Sequence, residues 1–201
     1  MVKRPLVFLI AGWSGFFVMA VELLSGRILA PNFGNSIYVW GGVITIFMLA
    51  LSIGYLIGGR LSIREPSLKK LSIILLVAAA STTPVVLMSD TVLDSIFSLI
   101  QDPRYGSLIS ATTLFFLPTM ISGIISPYAV RLLVTESSRS GHFAGLLYFV
   151  STFGSAAGTI LTSFYLVLYF EINHIVWTMI GVSSLISIFS FFAGRKHVES
   201  K

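Results

Sequence analysis

Glu22 is the one acid that interrupts an otherwise apolar stretch near the start of the chain. On a helix rising 1.5 Å per residue it stands about 25 Å from Pro5, in the outer half of a bilayer, where an ionised carboxylate is costly unless paired or wet. Two roles follow: a cation or proton site, or a tie between helices. Arg27 comes five positions later, about 140° further round the helix, so the two side chains do not face each other. Ser151, Ser155, Thr159 and Thr162 recur at helical spacing beside Gly154 and Gly158, giving one helix a small, hydroxyl-bearing face. Such a face serves a packed interface or a path for a polar solute.

Other chemistry is sparse. His142, His174 and His197 stand apart and form no metal set, and no serine has a visible base partner. Glu171 and His174 share an i, i+3 relation that fits a wet loop better than a ligand pair. There is no cysteine, and no Gly-rich nucleotide fingerprint follows a soluble strand. The expectation is therefore no catalysis by this chain alone, no cofactor and no metal.

The elements that carry these residues are long and apolar. Of 201 residues 55% are hydrophobic and only 10% charged, against about 25% charged in a soluble domain. Twenty residues cross a bilayer as a helix, and six runs meet that need. The expected fold is an all-α integral membrane protein, one domain over 1–201, with spans near 5–29, 38–60, 70–89, 105–131, 143–169 and 174–194. A short interfacial helix is expected over 90–101, because Val92, Leu93, Ile96, Phe97 and Ile100 fall opposite Asp90, Asp94 and Gln101. Pro118, Gly123 and Pro127 predict that the fourth span is the least regular, and Pro84 predicts a kink in the third. The first span is expected to remain as a helix and not to be a cleaved signal, because its apolar run exceeds the usual length and has no A-x-A site. Gly54 with Gly58, Gly141 with Gly145, and Gly154 with Gly158 mark faces where helices approach closely.

Alternate loops differ in charge. One side collects Lys3, Arg4, Arg60, Arg64, Lys69, Lys70, Arg131, Arg139, Arg195, Lys196 and Lys201, and the other only Arg27 and Arg104. Both termini are thereby expected in the cytoplasm, in an inner membrane, and the net charge of +5 needs no nucleic acid to explain it. The outer loops carry Asp90, Asp94, Asp102 and Glu171, a potential that draws cations.

Several motifs resemble a known family. Glu22-Leu-Leu-Ser-Gly-Arg27, Ala30-Pro-Asn-Phe-Gly34, Tyr38-Val-Trp-Gly41, Gly54-Tyr-Leu-Ile-Gly-Gly-Arg60, Ser126-Pro-Tyr-Ala-Val-Arg131 and Gly145-Leu-Leu-Tyr148 are similar to the membrane domain of prokaryotic fused proteins that join a major-facilitator-like part to a spermidine-synthase-like part. The stretch Gly54 to Arg64 resembles the loop after the second helix of the major-facilitator superfamily, without its usual acid. The resemblance implies two inverted three-helix repeats, as in half of a major-facilitator transporter. It also implies a membrane module that moves or presents a polyamine-like cation to a separate spermidine-synthase-like partner. Glu22 would attract the amine, Arg27 and Arg131 would organise helix ends, and Arg60 and Arg64 would mark the cytoplasmic loop. The alternative is a non-transporting anchor or assembly protein, a homo-oligomer dimerising through its glycine faces.

Overall fold

The structure is a computed structural model that describes residues 4–63, 65–134 and 140–195. Arg64 lies outside them, as do Lys3, Arg139, Lys196, His197 and Lys201. The described chain is all helical: α1 (Arg4–Phe33), α2 (Ile37–Leu61), α3 (Leu68–Ser81), α4 (Thr83–Leu99), α5 (Pro103–Leu133), α6 (Ser140–Leu161), a π segment (Thr162–Leu166), α7 (Val167–Tyr169) and α8 (Ile172–Arg195). These make six helical stretches long and apolar enough to cross a membrane, with α3–α4 and α6–α7 each acting as one. The chain is thus a multi-pass helical membrane protein in composition and length.

Three expectations are corrected. The segment 90–101 is not a separate interfacial helix. It is the second half of α4, which runs unbroken from Thr83, while the break falls earlier, at Thr82. Pro84 has no N–H to return to the carbonyl of Ala80, so the chain restarts there; the Thr82 amide tightens onto the Ala79 carbonyl at 3.1 Å, and Thr82 Oγ1 and Ser81 Oγ donate to the Ala78 carbonyl that it leaves. The amphipathic pattern stands: Val85, Ser89 and Leu93 are buried, and Asp90 and Asp94 are exposed. Second, α5 stays α-helical through Pro118 and Pro127; besides the break in the third span, the irregular span is the fifth, where five residues widen into π geometry. Third, the first span does not end near 29: α1 continues through Pro31 to Phe33, and the turn is made at Gly34, whose φ of +77° suits a residue without a Cβ.

Glycines set the two closest helix crossings. A Cβ on Gly154 would overlap the Gly12 carbonyl, and one on Gly158 would lie 2.5 Å from the Phe16 carbonyl oxygen, so α6 meets α1 backbone to backbone. Likewise a Cβ on Gly54 would overlap the Met120 carbonyl, and one on Gly58 would lie 2.5 Å from the Ile124 oxygen, joining α2 to α5. The reciprocal positions agree: Gly15 abuts the Ser151 carbonyl and Gly123 the Leu51 carbonyl. Small residues let backbones approach in lipid, where hydrophobic burial gives helices no reason to associate. This corrects the idea of dimerisation through Gly54, Gly58, Gly154 and Gly158, because those surfaces are filled within one chain.

The remaining packing ties the two ends. At one end Arg4 sits over the Phe143 ring at 4.6 Å, Tyr128 Oη accepts from the Ser67 amide at 3.1 Å, and Gly194 approaches Lys69. At the far end Phe33 meets Phe97 edge on, Asn32 Nδ2 donates to Asp94 at 3.0 Å, and Arg104 lies over Tyr38. Between them Trp13 Nε1 donates to Ser183 Oγ, and Ser187 Oγ to the Ser72 carbonyl, linking α8 to α1 and α3. The first end carries Arg4, Arg60, Lys69, Lys70 and Arg131, and the far end Asp90, Asp94, Asp102 and Glu171.

Candidate functional site

A cavity of about 230 Å³ lies where α1, α2, α5 and α6 meet. Its lining includes the hydroxyls of Ser14, Tyr55, Ser122, Ser126, Ser151 and Ser155, with Gly15 and Gly123 beside them. The close crossings explain why hydroxyls gather there. Gly15 and Gly123 let carbonyls of neighbouring helices come against their backbones, and the short side chains of Ser14, Ser122, Ser151 and Ser155 fit beside those crossings. Ser122 Oγ donates to the Pro118 carbonyl at 2.8 Å and Ser155 Oγ to the Ser151 carbonyl at 3.1 Å. The other four hydroxyls make no hydrogen bond among the described residues. Pro127 has no N–H to return to the Gly123 carbonyl, so a backbone acceptor stands beside the cavity without its helical partner.

This lining holds no carboxylate, imidazole or amine. It can take hydrogen-bond donors such as ammonium groups onto hydroxyl and carbonyl oxygens. It offers no nucleophile paired with a base.

The predicted site residues divide into two groups. Ser151 and Ser155 line the cavity. Glu22 stands one helical turn, about 6 Å, beyond the lining residue Val18 on the same stripe of α1. It is half-buried, and its carboxylate has no protein partner among the described residues. Thr159 lies one turn beyond Ser155 toward the far end and donates to the Ser155 carbonyl at 3.0 Å. Arg60 and Arg131 are exposed at helix ends and Arg27 is exposed within the last third of α1; none is brought to the cavity. Glu171 and His174 are 3.5 Å apart with both side chains largely exposed, a solvated pair.

Ser14, Tyr55, Ser122 and Ser126 were not marked by the sequence pattern. A signal for two of them exists: Ser14-Gly15 and Ser122-Gly123 are the same dipeptide inside two apolar spans. Comparison with protein-family models, with curated proteins and with solved structures finds no match for the chain.

Proposed function

We propose that the chain is a membrane module that accepts a polyamine-like cation from its far, acidic face. The module moves or presents it, through the cavity between α1, α2, α5 and α6, to a separate spermidine-synthase-like partner at the basic end. That end is cytoplasmic in this reading, and the membrane is the inner one. One observation carries it: a carboxylate without a protein partner, Glu22, stands on the same helix stripe as a hydroxyl-lined cavity, one turn away. An alkylammonium chain has that composition in reverse, with cationic donors separated by flexible methylenes.

The half-transporter architecture belongs to the same proposal, as two inverted repeats of three spans. The matched crossings support it. Gly12, Gly15 and Phe16 of α1 meet Gly154, Ser151 and Gly158 of α6; Met120, Gly123 and Ile124 of α5 meet Gly54, Leu51 and Gly58 of α2 with identical spacing. Exchanging the first span with the fourth and the second with the fifth therefore superposes one set of contacts on the other. The cavity obeys the same exchange, Ser14 with Ser122, Val18 with Ser126, Leu51 with Ser151 and Tyr55 with Ser155. Sites at a repeat interface near the midplane are the arrangement that inverted-repeat transporters use.

The test is spermidine binding and flux in proteoliposomes. Glu22→Gln should weaken binding at least tenfold, and Ser14→Ala with Ser151→Ala should weaken it further, while the exposed Asp90→Asn stays near the parent. Unchanged binding and flux in Glu22→Gln would remove the substrate role. A bundle that copurifies with a soluble partner but passes no spermidine would leave the anchoring alternative, with the exposed Arg60 and Arg131 as its docking face.

A further inference from the structure

A second cavity, about 210 Å³, opens near the far end between α1, α2 and the π segment. Its lining brings together Arg27, Asn35, Trp40 and Ser163 over a base that includes Gly26 and Ala30. It is a built pocket. A Cβ on Gly26 would fall 2.6 Å from the Trp40 ring, so the glycine is what lets the indole lie against α1 as a wall. Trp40 Nε1 donates to Asn35 Oδ1 at 2.5 Å, which fixes the oxygen of that amide toward the indole and leaves its NH₂ to donate. Ser163 is exposed, and its hydroxyl has no partner among the described residues.

Arg27 supplies the charge. Its guanidinium is exposed and makes no ion pair among the described residues, although the far end is rich in acids. Three of those acids are engaged elsewhere: Asp94 accepts from Asn32, Asp102 sits 3.6 Å from Arg104, and Glu171 pairs with His174, while Asp90 lies outside the pocket lining. No carboxylate lines the pocket. The polar groups that remain available are all donors or donor-capable: five guanidinium N–H, an amide NH₂ and a hydroxyl. That set matches a tetrahedral oxyanion, which Arg binds bidentately. The depth fits as well. Arg27 is six residues short of the end of α1, about 9 Å, and Trp40 is in the first turn of α2, the level at which Trp and Arg meet lipid headgroups.

We infer that the Arg27–Asn35–Ser163 pocket is a binding site for a phosphate oxyanion, borne by an outer-leaflet phospholipid or free in solution. This site is independent of the cation cavity, and its failure would leave the reading of Glu22 untouched.

The full chain in nanodiscs containing phosphatidylglycerol is examined by native mass spectrometry for retained phospholipid. The same chain in phosphate-free, non-phospholipid detergent is titrated with inorganic phosphate. One phospholipid retained by the parent, and retention weakened about 10- to 100-fold in Arg27→Gln, assigns the site to lipid. Saturable inorganic phosphate binding lost in Arg27→Gln assigns it to a free oxyanion; either outcome supports the proposal. Arg104→Gln, at the same end but outside the pocket, should behave as the parent. Should Arg27→Gln lose helical content, Asn35→Ala reads the same site with the arginine intact and should weaken binding severalfold. Absence of both ligands from the parent, or equal loss in Arg104→Gln and Arg27→Gln, overturns the inference.

Discussion

Replacing Gly154 by alanine tests the crossing that shapes the cavity. The added methyl would overlap the Gly12 carbonyl oxygen and stand 2.8 Å from its carbon and 3.1 Å from its Cα, all backbone atoms that no rotamer change can move. Relief requires α1 and α6 to part by on the order of 1 Å, a gap that forfeits a quarter to a half of the dispersion energy along the crossing. Overpacking of this kind costs about 1–3 kcal/mol. Against it stands the gain in helix propensity from glycine to alanine, at most about 1 kcal/mol. The net expectation is a loss of up to about 2 kcal/mol against the parent, and of about 1–3 kcal/mol against a glycine with room for the methyl, where the propensity gain is shared. Gly181 of α8 is the control: a Cβ there meets nothing within 4 Å, so Gly181→Ala keeps only the propensity term and should be neutral or stabilising. Reversible unfolding in mixed micelles, followed by circular dichroism, gives both values on one scale. Equal or greater stability of Gly154→Ala relative to Gly181→Ala would refute the backbone contact and with it the placement of α6 on α1.

Three further outcomes are expected. Because the chain has no cysteine, single-cysteine mapping needs no background removal: Lys69→Cys and Ser98→Cys should react with an impermeant maleimide from opposite sides of a vesicle, and labelling of both from one side would contradict the crossing by α3–α4. Ser187→Ala removes the buried 2.6 Å hydrogen bond to the Ser72 carbonyl, and the unfolding free energy should fall by about 0.6–2 kcal/mol. His174→Ala breaks an ion pair whose side chains are about four-fifths exposed, so its stability should stay within about 0.5 kcal/mol of the parent.

Hydropathy made the six spans legible because lipid imposes a length and a composition that few other settings share. The joints were less so. Pro84 marked a kink in the third span, but its presence alone does not say that one helix ends at Ser81 and another begins at Thr83, and the π widening at Thr162 leaves no mark in residue type. The glycine pairs were readable as grooves, but spacing cannot say what fills a groove. Gly54 found α5 and Gly154 found α1, and neither face is left for a second molecule. At the cavity, Ser151 and Ser155 were visible as a stripe. Ser14 and Ser122, lone hydroxyls on different helices, met there only through tertiary packing.

The π segment also sets direction. Each α-helical residue turns the chain by about 100°, and a wider turn takes in one residue more before the ladder resumes. Everything after Leu166 is therefore rotated by about one residue's worth from where an unbroken α6 would have aimed it. Leu168 and Tyr169, 71% and 72% exposed, are the side chains so redirected. A single additional residue is the smallest change that can re-aim the last turn of a spanning helix without touching the face that Gly154 and Gly158 hold against α1. The last turn of the fifth span is thus aimed independently of the part that Gly154 and Gly158 lock to the bundle.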